Sequence, residues 1–209
     1  MILINYTYIT SPISEEIYAK YKHLLCTYDQ RRIEGFIRKQ SADATLAGRL
    51  LLLEAAKALK YSINLNQIQI SSKGKPYLTN GPFFSISHSS DYVICATSTN
   101  EEIGIDIERK RPLSIEAFQR QFSETEWKRI MSSKHKNDEL LKYWCTKEAF
   151  LKKIGQGLEV DMKEVQIEKD KVLYNNTSYY PTLIPFHQDY AGVLVTNNKP
   201  EYKIQSFNL

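Results

Sequence analysis

The chain has 209 residues, 42% of them hydrophobic and 25% charged, a balance that predicts a globular fold and excludes a disordered segment. That length allows one large domain or two small ones. The net charge of +4 suits an anionic ligand or an acidic partner, and is too small to argue for DNA binding by itself.

In chain order, the apolar run Met1-Ile2-Leu3-Ile4-Asn5-Tyr6 lacks a basic leader and a cleavage site, so it reads as the start of a strand over 2–9 and not as a signal peptide. Ser14 can cap a helix whose Ile17, Tyr21, Leu24 and Leu25 are spaced for one apolar face. A longer helix, rich in Leu and Ala, is expected from about Ala42 to Lys60. Strands follow at 66–70, 83–88, 92–98 and 103–108, with turn residues at Lys73-Gly74-Lys75-Pro76 and Asn80-Gly81-Pro82. Ser123 and Glu126 have the spacing of a capping box ahead of Trp127 and Ile130. The next helix runs from about Asp138 to Ile154 and stops at Gly155; strands are expected at 164–168, 179–184, 190–196 and 201–207. No apolar run approaches the roughly 20 residues of a membrane helix. Cys26, Cys95 and Cys145 are far apart and odd in number, so neither a zinc site nor a disulfide framework is indicated. A reducing cytoplasm is the simplest setting for them.

An internal repeat runs through this order. Leu53-Glu54-Ala55-Ala56-Lys57 resembles Lys147-Glu148-Ala149-Phe150-Leu151, Ile68-Gln69-Ile70 resembles Val165-Gln166-Ile167, and the strand opened by Asp91-Tyr92 resembles the one opened by Asp189-Tyr190. The repeat predicts two similar halves meeting near Arg109-Lys110-Arg111-Pro112.

Three constellations carry chemistry. In Gly104-Ile105-Asp106-Ile107-Glu108, strand alternation puts Ile105 and Ile107 on one face and both carboxylates on the other. Two like charges this close suit a hard cation such as Mg2+, which takes carboxylate oxygens and substrate phosphates; a solvated strand edge would show the same pattern. In Phe84-Ser85-Ile86-Ser87-His88-Ser89, the serines share one face, and His88 is either a core histidine or a phosphate-binding cation. It is not a nucleophile elbow, which needs Gly-x-Ser-x-Gly. Trp144, Glu148 and Lys152 follow at four-residue steps on one helix face, where Glu148 and Lys152 could also be an exposed salt bridge. Arg31-Arg32 and Arg38-Lys39 form a basic region.

These pieces, in this order, resemble the 4′-phosphopantetheinyl transferase superfamily, and most closely its surfactin-synthetase-activating type. The residues that carry the resemblance are Ile86-Ser87-His88-Ser89, Gly104-Ile105-Asp106-Ile107-Glu108 and Trp144-x-x-Lys147-Glu148-Ala149-x-x-Lys152. Gly74-Lys75-Pro76, Phe122-Ser123 with Glu126, and Gly155-Gln156-Gly157-Leu158 fit as well.

The resemblance implies an α+β fold of two similar halves related by a pseudo-twofold axis, each a long helix on a small, mainly antiparallel sheet. Residues 1–108 would form the coenzyme A side and 109–209 the metal and carrier-protein side, with the active site at their interface. It implies Mg2+-dependent transfer of the 4′-phosphopantetheine arm of coenzyme A to a serine of an acyl or peptidyl carrier protein, releasing adenosine 3′,5′-bisphosphate. By position, Asp106, Glu108 and Glu148 would hold Mg2+. Glu148 would take the serine proton, directly or through water, and Lys152 would neutralise the diphosphate. Lys75, His88 and Arg32 would contact coenzyme A phosphates, with Ser87 and Thr45 nearby. Where family members often carry lysines, this chain offers Asp29 and Arg32. A cytoplasmic monomer acting on neither membrane nor nucleic acid is expected. Phe118, Phe122, Trp127, Lys128 and Met131 are candidates for the carrier-facing surface. A non-catalytic nucleotide- or carrier-binding module of the same fold is the alternative, and a basic RNA-binding protein using Arg31, Arg32, Arg38 and Lys39 a more distant one.

Overall fold

A computed structural model of the chain describes residues 1–208; Leu209 and the side chain of Leu158, the last residue of the Gly155–Leu158 motif, lie outside the described residues. In chain order the elements are β1 (Ile2–Tyr8), α1 (Glu15–Tyr21), α2 (Thr27–Gly35), α3 (Lys39–Ala58), β2 (Gln69–Ile70), β3 (Pro76–Tyr77), β4 (Phe83–Ser89), β5 (Tyr92–Ser98) and β6 (Gly104–Arg109). They continue with α4 (Glu124–Ser132), α5 (Lys136–Ile154), β7 (Gln166–Glu168), β8 (Lys171–Tyr174), β9 (Thr177–Leu183), β10 (Tyr190–Thr196) and β11 (Tyr202–Ser206). The fold is α+β, as expected.

The principal sheets have strand orders β11-β1-β5-β4 and β6-β10-β9-β8-β7. Neighbours pair antiparallel throughout, except that β1 and β11 run parallel. Helix α3 packs on β5 and β1, and α5 packs on β6 and β10. Each sheet therefore carries one long helix. Strand alternation divides the side chains accordingly. Val93 and Cys95 of β5 face the α3 core, whereas Ile94 and Ala96 meet Ile105, Ile107 and Leu194 of the other sheet. Val193 and Val195 of β10 face the α5 core. An apolar layer between the sheets thus joins the halves, burying aliphatic side chains on both.

Local signals explain the helix ends. Ser14 Oγ accepts from Ile17 N, and Ser123 and Glu126 form the full capping box of α4. Helix α5 ends at Gly155, which adopts a left-handed φ of 68°.

Three findings differ from expectation. The sequence pattern marks neither helix α2 nor the short strands β3 and β8. The boundary at 108–109 falls inside β6, and β6 pairs with β10 of the second sheet. Strand β11, from the far end of the chain, completes the first sheet beside β1.

Candidate active site

The site forms where β4, the edge of the first sheet, lies against β6, the edge of the second. The α5 face of β6 carries Gly104, Asp106 and Glu108. Helix α5 approaches closely there, because a Cβ on Gly104 would overlap the Ala149 carbonyl oxygen and lie 2.5 Å from the Lys153 amide nitrogen. That contact brings Glu148 and Lys152 of α5 over the two β6 carboxylates. Asp106 is only 5% exposed, so the reading of a solvated strand edge fails for it.

A buried carboxylate must be compensated. Lys152 Nζ donates to Asp106 Oδ1 at 2.7 Å and to Ser87 Oγ at 2.8 Å, while Ser87 donates its own hydroxyl proton to Asp106 Oδ1 at 2.8 Å. The other oxygen, Oδ2, is buried without a hydrogen-bond partner among the described residues. Glu108 accepts from Ser89 Oγ at 2.9 Å. Burial raises the Glu108 carboxyl pKa, and Asp106 adds to the rise while Ser89, Arg111 and Lys152 oppose it. Burial, then Asp106, likewise raises Glu148, against the pull of Lys152. The three carboxylates therefore repel one another across a small space, and Lys152 answers to Asp106 instead of forming a surface pair with Glu148.

Beside this acidic group opens a cleft of about 480 Å3. Arg32, Thr45, Lys75, Ser87, His88 and Lys152 line it together with Asp106 and Glu108; Glu148 is not among its lining residues. Arg32 is exposed, its guanidinium over the Phe36 ring. Thr45 is half-buried and donates to the Ser41 carbonyl oxygen. Lys75 donates to the Lys153 carbonyl oxygen and pairs with Glu102, so its ammonium is engaged at the cleft wall. His88 is exposed at the mouth. The protein around its ring lowers its pKa by desolvation, and Lys152 and Arg32 lower it further. Ser87 is buried against Asp106 and Lys152, an arrangement closer to a support than to an open phosphate contact.

Several residues behave differently from what their types suggested. Asp29 is fully buried, and Arg49 grips it through Nε at 2.6 Å and Nη2 at 3.0 Å. It therefore forms an internal ion pair beside the cleft and does not face a phosphate. Phe122 is core, stacked near Trp127, so it cannot belong to a carrier-facing surface; Lys128 is exposed and Met131 half-buried. Lys147, read only as a motif residue, is fully buried. It donates to Glu126, to the Met162 carbonyl oxygen at 2.7 Å and to the Gln121 carbonyl oxygen. No sequence signal singles out Arg49 or the Lys147–Glu126 pair, since each joins positions about 20 residues apart.

Strand β6 brings Asp106 and Glu108, β4 brings Ser87 and His88, and α5 brings Lys152 to one basic cleft, the arrangement of an enzyme that takes an anionic, phosphate-bearing substrate. Residues 102–200 match the family model described as the 4′-phosphopantetheinyl transferase superfamily, and 11–100 match 4′-phosphopantetheinyl transferase, N-terminal. The 4′-phosphopantetheinyl transferase Sfp of Bacillus subtilis (strain 168) is 31% identical over 171 residues, covering 78% of this chain and 75% of that protein. The L-aminoadipate-semialdehyde dehydrogenase-phosphopantetheinyl transferase of Xenopus laevis is 33% identical over 163 residues, which are 69% of this chain and 54% of that one. The solved structure of Thermotoga maritima holo-[acyl-carrier-protein] synthase aligns with 45% of this chain and 61% of its own, at 20% identity and a TM-score of 0.36. The chain belongs to the 4′-phosphopantetheinyl transferase superfamily and is of the Sfp type.

Proposed function

We propose that this phosphopantetheinyl transferase moves the 4′-phosphopantetheine group of coenzyme A to a serine hydroxyl of an acyl or peptidyl carrier protein. The observation that carries the reading is the acidic group of buried Asp106 and half-buried Glu108 opening onto a cleft lined by Arg32, Lys75, His88 and Lys152. Cations there suit the phosphates of coenzyme A, and phosphoryl transfer depends on positioning and charge neutralisation more than on covalent help.

Among the described residues, no three His, Cys, Asp or Glu side chains stand close enough to hold a metal ion as they are placed. The donor set nonetheless fits a hard divalent cation. Asp106 Oδ2 is buried and unpartnered, and Glu108 and Glu148 both resist ionisation in the absence of positive charge. Asp106, Glu108 and Glu148 would hold Mg2+, whose contribution when bound is to neutralise the diphosphate.

The chain's own groups account for the rest. The carrier serine oxygen forms a bond to the pantetheine-side phosphorus, the bond to the bridging oxygen breaks, and adenosine 3′,5′-bisphosphate leaves. Glu148 receives the serine proton, directly or through a water, consistent with its raised pKa. Lys152 offsets the charge that develops on the leaving diphosphate oxygen. Arg32, His88 and Lys75 hold the remaining phosphates, with Thr45 at the cleft wall, and Ser87 contributes by fixing Asp106 and Lys152. Residues 1–108 supply the coenzyme A side together with Asp106 and Glu108, and 109–209 supply Glu148, Lys152 and the carrier side, so the metal site draws on both halves. The half-buried Phe118 and Met131 and the exposed Lys128 would contribute to the carrier surface. A cytoplasmic monomer that uses neither nucleic acid nor membrane completes the proposal; it is compatible with three free, buried cysteines and with the finding that no helix of the described residues is long and apolar enough to cross a membrane.

The test is to incubate the protein with coenzyme A, Mg2+ and a panel of apo carrier proteins and to weigh the carriers. One phosphopantetheine mass added to a carrier is the expected result. No mass gain on any carrier would overturn the proposal.

A further inference from the structure

Strands β4 and β6 are edges of different sheets, and three serines cross the gap between them. Ser85 Oγ accepts from Ile105 N at 3.1 Å, Ser87 Oγ from Ile107 N at 3.4 Å, and Ser89 Oγ from Arg109 N at 3.0 Å. The two-residue period of each strand makes this a regular ladder, with side-chain hydroxyls in place of backbone carbonyls.

The three rungs differ in what their hydroxyl protons do. A serine has one proton to give, and an amide that occupies its lone pair limits where that proton points. Ser89 sends it to Glu108 Oε2 at 2.9 Å. Ser87 sends it to Asp106 but is also held by Lys152. Ser85 accepts its amide and donates to neither carboxylate. The same seam contact thus occurs with a carboxylate partner and without one.

We propose that Ser89 is a positioning residue: anchored by the Arg109 amide, it holds one oxygen of Glu108 and so turns the other toward the divalent ion. This rests on the reading of Asp106 and Glu108 as ligands. A glutamate has several rotatable bonds, and among the described residues one hydrogen bond, from Ser89, restrains this one. Partners that orient a ligating side chain commonly govern metal affinity as strongly as weak ligands do.

The experiment measures Mn2+ binding from the loss of the free-ion electron paramagnetic resonance signal, with saturating coenzyme A and no carrier protein, so that no turnover occurs. Wild type, Ser89→Ala, Ser89→Thr and Ser85→Ala are compared, together with their melting temperatures. Ser89→Ala should bind Mn2+ about tenfold more weakly, at the low end of what such partners contribute. Ser89→Thr, which keeps the hydroxyl, should restore binding. Ser85→Ala should lower the melting temperature, through its lost seam contact, yet bind Mn2+ like wild type. If Ser89→Ala does not fold, Ser89→Cys, with its weak donor, should show the same loss. Unchanged Mn2+ binding in the Ser89 variant, or equal weakening in Ser85→Ala, would overturn the positioning role while leaving the metal site standing. Absence of Mn2+ binding by the wild type would overturn the metal reading and the positioning role with it.

Discussion

Lys152 Nζ sits 2.7 Å from Asp106 Oδ1, bringing the last turns of α5 onto the α5 face of β6. The pair is asymmetric: the aspartate is buried, whereas the lysine side chain is 31% exposed and opens onto the cleft. The ammonium therefore stabilises a carboxylate that burial would otherwise penalise, and it remains within reach of an incoming anion. The second oxygen of Asp106 has no partner among the described residues. One side of the carboxylate is satisfied by the protein and the other is left uncompensated.

Asp106→Ala should reduce transfer by ~100-fold or more, the scale on which lost electrostatic stabilisation acts. Folding should survive, because the substitution removes a buried charge along with its partner contact, and Lys152 can turn to water. Initial rates of carrier modification, set beside circular dichroism melts of the same preparations, check both parts. Full activity in this variant would remove Asp106 from the machinery.

Gly104 is required by proximity, not by backbone conformation. Gly104→Ala would drive a methyl group into the Ala149 carbonyl and the Lys153 amide, main-chain atoms that cannot rotate away. Overpacking of this kind costs about 1–3 kcal/mol. A urea titration should show a lowered midpoint with an unchanged slope. Transfer should also slow, since α5 carries Glu148 and Lys152.

Lys147 and Glu126 form a buried pair whose remaining capacity is also used: Glu126 accepts from Ser123 N at 2.8 Å and Ile167 N at 2.9 Å. Burial lowers the Lys147 pKa, and Glu126 acts against that. Lys147→Met leaves a carboxylate without its cation and should destabilise the protein by about 3–5 kcal/mol. Adding Glu126→Gln should recover part of the loss, because the charge is then removed. Chemical denaturation of the single and double variants measures the difference.

With His88 as a phosphate contact, coenzyme A affinity should depend on pH. Desolvation, Lys152 and Arg32 hold its pKa below the ordinary value of 6.5 in the free protein. A phosphate beside the ring favours the charged form and raises the pKa, so binding takes up a proton. Affinity should therefore strengthen as pH falls from 7 toward 6. Calorimetric titration of coenzyme A in two buffers of different ionisation enthalpy should show proton uptake, and His88→Asn should lose it.

Legibility followed periodicity. β4, β5, β6, β10 and α5 have clear patterns, and alternation in 104–108 correctly separated Ile105 and Ile107 from the carboxylates. Periodicity does not say what lies over a face, so the pattern of 104–108 fits a solvated edge as well as a site, and only the packing of α5 removes Asp106 from solvent. Helix α2 was obscured because its buried positions are Asp29 and Ile33, one of them charged, and no apolar stripe marks it. Asp29 pairs with Arg49, a residue on another helix, and no local pattern reveals that. Strands β3 and β8 are two and four residues long, too short for alternation to register. The serine ladder was half visible: the common face of Ser85, Ser87 and Ser89 could be read, while its partner strand could not.

The placement of β11 has a practical consequence for anyone wishing to divide this protein. The first sheet borrows from the far end of the chain: β11 joins β1, and β6 begins the second sheet before β11 has completed the first. A single cut near residue 100 would release a first fragment with an open edge along β1, and a second fragment carrying an orphan strand. Complementation from two separately expressed pieces should succeed only when the 202–206 strand is free to cross between them.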